Sequence, residues 1–142
     1  MNLETLQDLW KTDSVIDPDK YGEESVRIPQ LHMRYMEFYN TFSLMKKDRE
    51  SEMRGLIKSK WVYYKGKAPA TIYRDTPFDF KLTTKEEVNM FIEADEDVRK
   101  LQLKIDYIEQ VIFFLDGVLR QIQSRNYQIK NAIEWERFQS GM

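Results

Sequence analysis

Arg54, Lys58, Trp61 and Lys65 follow one another at steps of four, three and four residues. At roughly 100° per residue, a helix through them gathers all four within about 60°, three cations around one indole. Cations neutralise phosphates and release counterions, and an exposed aromatic stacks on any base for roughly 1–3 kcal/mol. Single strands expose their bases and duplexes do not, so the pattern reads as a site for single-stranded nucleic acid. Lys60, Tyr64 and Lys67 share the segment. Tyr64 is intermediate in facing, and Tyr63 fits core and contact equally. Lys60 falls towards the apolar side, where it must snorkel, face a subunit junction or lie past the helix end.

No other residues assemble into chemistry. The lone His32 has no second histidine, no cysteine and no carboxylate at ligand spacing. Asp95-Glu96-Asp97 lacks the spaced ligands and turn glycine of a calcium loop, and helix-terminus electrostatics explains it better. Gly55-Leu56-Ile57-Lys58-Ser59 lacks the glycine-rich turn of a phosphate loop. The absence of Cys excludes disulfides, thiolate zinc sites and cysteine nucleophiles. The expectation is no enzyme, no cofactor and no metal.

The formal net charge of −2 conceals a division. Residues 1–52 hold 7 basic and 11 acidic side chains, 53–74 hold 6 basic and none acidic, and 75–142 hold 9 basic and 13 acidic. Such a block is either a solvated helix face or a polyanion site, and 22 residues without one carboxylate are unusual in a chain whose acids slightly outnumber its bases.

The elements that must position this block are helical. With 142 residues, 42% apolar, the chain can bury a core, and five Gly and four Pro suit long helices more than turn-rich sheets. The amino terminus lacks a basic start with an apolar run, and no stretch approaches the roughly 18 apolar residues of a membrane span, so a soluble, unsecreted protein is expected. Asn2 is placed to cap a short first helix, with turns at Asp17-Pro18 and Tyr21-Gly22. Pro29 is placed to open a helix carrying Leu31, Tyr35, Phe38, Phe42 and Met45 on one stripe and running to about Tyr64. Lys65-Gly66-Lys67-Ala68-Pro69 ends it. Residues 66–82 read as loop or extended chain, with a short hairpin possible around Ile72, Tyr73, Phe78 and Phe80. Thr84 and Glu87 have the spacing of a capping box.

Val98, Leu101, Ile105, Ile108, Ile112, Leu115, Leu119, Ile122, Ile129 and Ile133 occupy a and d positions of a heptad repeat. Asn126 fills the remaining a position, either setting register or marking a helix break near Ser124-Arg125-Asn126. Val111 and Val118 at g, with Tyr107, Phe114 and Trp135 at c, make the apolar surface wider than a dimer seam. Such a helix needs partners on two sides, in a bundle within one chain or in an assembly with neighbouring subunits.

Ile57-Lys58-Ser59-Lys60-Trp61-Val62-Tyr63-Tyr64-Lys65-Gly66 resembles the UvsY recombination mediator family of T-even-type bacteriophages. So do Ala94-Asp95-Glu96-Asp97-Val98, the pair Leu115-Asp116 followed by Leu119, Ser124-Arg125 followed by Ile129-Lys130, and Phe138 with Gly141. The likeness spans most of the chain and is weakest at 67–84. It implies single-stranded DNA binding, a ring-shaped homo-oligomer held by carboxy-terminal helices, and contact with the phage recombinase and single-strand-binding protein. It also implies work in the cytoplasm of the infected bacterial host, loading recombinase onto covered DNA. The family's basic pair maps onto Lys58 and Lys60, with Lys60 in place of an arginine and Val62 in place of an acid; lysine keeps the charge and loses bidentate geometry.

The resulting expectation is an all-α protein whose carboxy-terminal heptad helix forms an oligomeric bundle or ring. One domain covers 1–142, with a helical part at 1–65, the basic segment at 53–74 and an oligomerisation part at 84–142. Arg54, Lys58, Lys60, Trp61, Tyr64, Lys65 and Lys67 carry nucleic-acid binding. The rival is an oligomeric scaffold whose basic segment docks an acidic protein partner.

Overall fold

The structure is a computed structural model describing residues 1–141; Met142, last residue of the expected carboxy-terminal part, lies outside the described residues. Among these the chain forms five helices and no strand: α1 (Leu3–Asp13), α2 (Tyr21–Tyr64), α3 (Ala70–Asp75), α4 (Lys85–Ala94) and α5 (Glu96–Gln139). The all-helical class and the long carboxy-terminal helix are as expected.

The helix ends follow local chemistry. Asn2 Oδ1 accepts from the Thr5 amide at 2.8 Å and starts α1. The Thr84 hydroxyl accepts from the Glu87 amide at 3.2 Å, and the Glu87 carboxylate accepts from the Thr83 amide at 3.2 Å, one residue earlier than the capping box requires. Gly66 closes α2 at a φ of 76°. The Gly66 amide donates to the Tyr63 carbonyl at 3.1 Å and the Lys67 amide to the Val62 carbonyl at 3.0 Å, the paired bonds of a Schellman ending.

The expectations for the start of α2 and for the segment after it are corrected. Helix α2 begins at Tyr21, eight residues before Pro29, so Tyr21-Gly22 is its first turn and Pro29 lies exposed inside it. A buried proline amide gap is thereby avoided, and Glu23 and Glu24 place negative charge at the helix start, where the macrodipole favours it. The suggested hairpin is absent: Ile72 and Tyr73 belong to α3, and Phe78 and Phe80 follow it without pairing. Aromatic β-propensity measures fitness for a half-buried surface, and here a cluster of rings supplies that surface instead of a ladder.

The chain divides into two compact units, one of Met1–Ser43 with the segment from Glu109 onward, the other Leu44–Ile108. In the first, Leu6, Leu31, Tyr35, Phe42, Val111, Leu115, Val118, Leu119, Ile122 and Ile129 are buried, and Trp10 packs edge-on against Tyr35 at 5.3 Å. Along α5 the residue before the heptad a position is the buried one at Val111 and Arg125, while Asn126 is exposed and the helix runs on unbroken. The inward polar residue is therefore Arg125. The shift from a to g follows from a broad buried face, with Trp10 lining a hollow beside Phe114 and Gly117.

Arg125, 2% exposed, donates to the Ser14 carbonyl at 3.2 Å, the Val15 carbonyl at 3.0 Å and the Glu24 carboxylate at 2.8 Å. Arg27 extends the network by bridging Glu24 and Asp13, each at 3.2 Å. Asp13 also accepts from Arg34 at 3.1 Å and from the Tyr35 hydroxyl at 2.9 Å. Burial, then that bond to Asp13, pushes the Tyr35 phenol well above its ordinary range. One guanidinium thus ties the α1–α2 connection and the start of α2 to α5.

The second unit has its own core of Met53, Val88, Ile92, Val98, Leu101 and Ile105, with Leu56, Tyr64 and Leu82 against it.

Removing one partner of a buried pair leaves an uncompensated charge, costing about 3–5 kcal/mol. Arg125→Ala is therefore expected to lower the unfolding free energy by that amount in urea titration, whereas Arg125→Met combined with Glu24→Leu recovers most of it. A loss below about 1 kcal/mol for the single variant would contradict this account.

Candidate nucleic-acid interface

The last turns of α2 carry Arg54, Lys58 and Trp61 on one face, as the spacing predicts, and Lys65, the residue after the helix, follows on as its amide donates to the Trp61 carbonyl at 3.0 Å. Arg54 and Lys58 are exposed, Lys65 is half-buried and Trp61 is 36% exposed. The Schellman ending then folds the chain back. The Lys65 ammonium lies 6.0 Å and the Lys67 ammonium 5.3 Å from the centre of the Trp61 ring, both within cation–π range. Among the described residues, none of Arg54, Lys58, Lys65 and Lys67 forms an ion pair with a carboxylate. Their charge is left to solvent and, for Lys65 and Lys67, to the face of the Trp61 ring.

Lys60 and Tyr64 point elsewhere. The Lys60 ammonium donates to Asp97 at 2.7 Å and lies 3.3 Å from Asp95. The Tyr64 hydroxyl donates to Asp95 at 2.6 Å. Asp95, 9% exposed, also accepts from the Asp97 amide at 2.9 Å and the Val98 amide at 3.2 Å, capping α5. Of the three placements open to Lys60, it snorkels from the apolar side to two carboxylates at the head of α5.

The electrostatics follow. Burial by itself raises the Asp95 carboxyl, but the bonds from Tyr64, the Val98 amide and Lys60 outweigh it and hold the carboxyl below its ordinary value. Burial pulls the Lys60 ammonium down, and the bonds to Asp97 and Asp95 more than restore it, leaving it raised. Burial and the bond to Asp95 push the Tyr64 phenol far up.

Aromatic rings brace the platform from behind. Tyr63 donates to the Thr76 carbonyl at 2.8 Å, stacks on Tyr73 at 5.3 Å and meets Tyr64 edge-on at 5.0 Å. The Tyr73 hydroxyl donates to the Tyr63 carbonyl at 2.6 Å and accepts from the Ala68 amide at 3.2 Å. Phe78 and Phe91 continue the cluster from Tyr64. Tyr63 is therefore a bracing residue.

Between the end of α2 and α3 lies a groove of about 660 Å³, with Gly55, Lys58, Ser59, Val62 and Ile72 among its lining. The sequence pattern hides this groove, because residues 70–75 carry no helical signal and read as loop; its one trace is two small residues, Gly55 and Ser59, one turn apart. Among the described residues, no group of three or more His, Cys, Asp or Glu is placed to hold a metal ion. No helix of the described residues is long and apolar enough to cross a membrane.

Residues 9–142 match the family model described as recombination, repair and ssDNA binding protein UvsY. The chain is 28% identical to the recombination protein uvsY of Enterobacteria phage T4 over 144 residues, covering 99% of each. It is also similar to a crystal structure of the bacteriophage T4 recombination mediator protein UvsY, with a TM-score of 0.84, 26% identity and 99% and 98% of the two chains covered. A second lattice form of that protein gives a TM-score of 0.81 at 24% identity, covering 98% of this chain and 99% of the other.

Because the folded Asp95 carboxyl titrates below its unfolded value of about 3.9, its stabilisation is present above that pH and lost as the pH falls through the folded value. Asp95→Asn is expected to lower the urea midpoint at pH 7 and to flatten its decline below roughly pH 4. Parallel acid limbs in native protein and variant would show that Asp95 carries no such linkage.

Proposed function

The chain belongs to the UvsY family of recombination and repair proteins, and from that premise we propose that it binds single-stranded DNA and helps load a recombinase onto strands covered by single-strand-binding protein, catalysing no bond chemistry itself. The observation that carries this reading is a cluster of cations without carboxylate partners around one indole. Arg54, Lys58, Lys65 and Lys67 take phosphates, and Trp61 offers a stacking face once a base displaces a lysine from it. Lys60 and Tyr64 serve the same site from behind: by engaging Asp95 they hold the end of α2 and keep its carboxylate neutralised.

Each subunit offers a modest site, and assembly multiplies such sites by raising effective concentration. The exposed Trp135 and Phe138 of α5, stacked at 5.7 Å, and the exposed Phe113 are apolar surface suited to a neighbouring copy. A ring so built works in the cytoplasm of the infected bacterial host.

The test is affinity for a labelled single-stranded oligonucleotide across a salt series. Lys58→Ala is expected to reduce the log–log slope by about 0.7, one phosphate contact, and Trp61→Ala to weaken binding by roughly 1–3 kcal/mol. Unchanged affinity in Trp61→Ala, with binding instead to acidic peptides, would favour a scaffold that docks an acidic protein partner.

A further inference from the structure

We propose that the groove beside Lys58 receives one unstacked nucleobase of the bound strand, an inference that rests on the single-strand reading above. Its volume of about 660 Å³ lies within the roughly 300–1,000 Å³ of small-molecule pockets. Val62 and Ile72 give it apolar walls, and Lys58 and Ser59 stand along it as polar groups. That combination suits a flat ring with apolar faces and a hydrogen-bonding edge.

Lys58 joins the groove to the cationic face, since it belongs to both. A phosphate held by Lys58 therefore brings its own base to the groove mouth. Asp95 also lines the groove, but its charge is already met by Lys60 and by the Tyr64 hydroxyl, so it does not repel the incoming strand.

Gly55 supplies independent support. It is an exposed helix-interior glycine, and a Cβ built there meets nothing within 4 Å. No turn, positive φ or close packing requires glycine at this position. Glycine weakens a helix interior, and its structural consequence here is an open groove.

The experiment compares a single-stranded oligonucleotide with an abasic strand of equal length and charge, using full-length native protein, Gly55→Leu and Ser59→Leu. Leucine raises helix propensity at both positions, so both variants are expected to melt at or above the native temperature. Native protein is expected to prefer the base-bearing strand. Each variant is expected to lose about fivefold or more of that affinity, the lower end of one stacked base, while binding the abasic strand as native protein does. Variants that bind both strands like native protein would overturn the groove and leave the cationic platform standing, as would occupation of the groove by a partner's side chain with no change in strand binding. Native protein that binds neither strand would remove the single-strand reading and the groove together.

Discussion

A single carboxylate, Asp95, holds the basic end of α2 in shape. It terminates α4, caps α5 through the Asp97 and Val98 amides, and receives both the Tyr64 hydroxyl and the Lys60 ammonium. A mostly buried carboxylate persists as an anion only where hydrogen bonds and an opposite charge replace its lost water. These groups do so, and they come from the end of α2. The cap of one helix and the anchor of another are therefore the two oxygens of one carboxylate, Oδ1 accepting from the amides and Oδ2 meeting Tyr64 and Lys60, and Trp61 and its lysines ride on the helix end so anchored.

This arrangement divides the basic segment into two populations. Lys60 spends its charge on Asp95 and Asp97. Arg54, Lys58, Lys65 and Lys67 meet no carboxylate among the described residues. Uncompensated surface cations repel one another, and a polyanion relieves that repulsion while releasing its own counterions. Counting charges alone assigns six equivalent cations to the segment; only the paired carboxylates show that they are not equivalent.

The aromatic residues divide in the same way. Tyr63, Tyr64, Tyr73, Phe78 and Phe91 pack against one another, and the three tyrosines use their hydroxyls on backbone carbonyls or on Asp95. Trp61 lies outside that cluster, flanked by ammonium groups. The rings that brace one another and the indole flanked by ammonium groups thus differ in their neighbours as well as in residue type.

The sequence by itself determined what depends on near neighbours: the helical class, the caps at Asn2 and Thr84, the glycine ending of α2 and the face shared by Arg54, Lys58 and Trp61. Capping bonds span two to five residues and a helical face repeats every turn, so both are written in local spacing. Tertiary structure decided the start of α2 at Tyr21, the inward turn of Arg125 in place of Asn126, the helical state of Ile72 and Tyr73, and the separate fate of Lys60. Arg125 meets Glu24 across 101 residues and Lys60 meets Asp97 across 37. Partners so far apart leave no period in the chain, and a buried charge takes whichever orientation reaches its counter-charge, whatever the local pattern prefers.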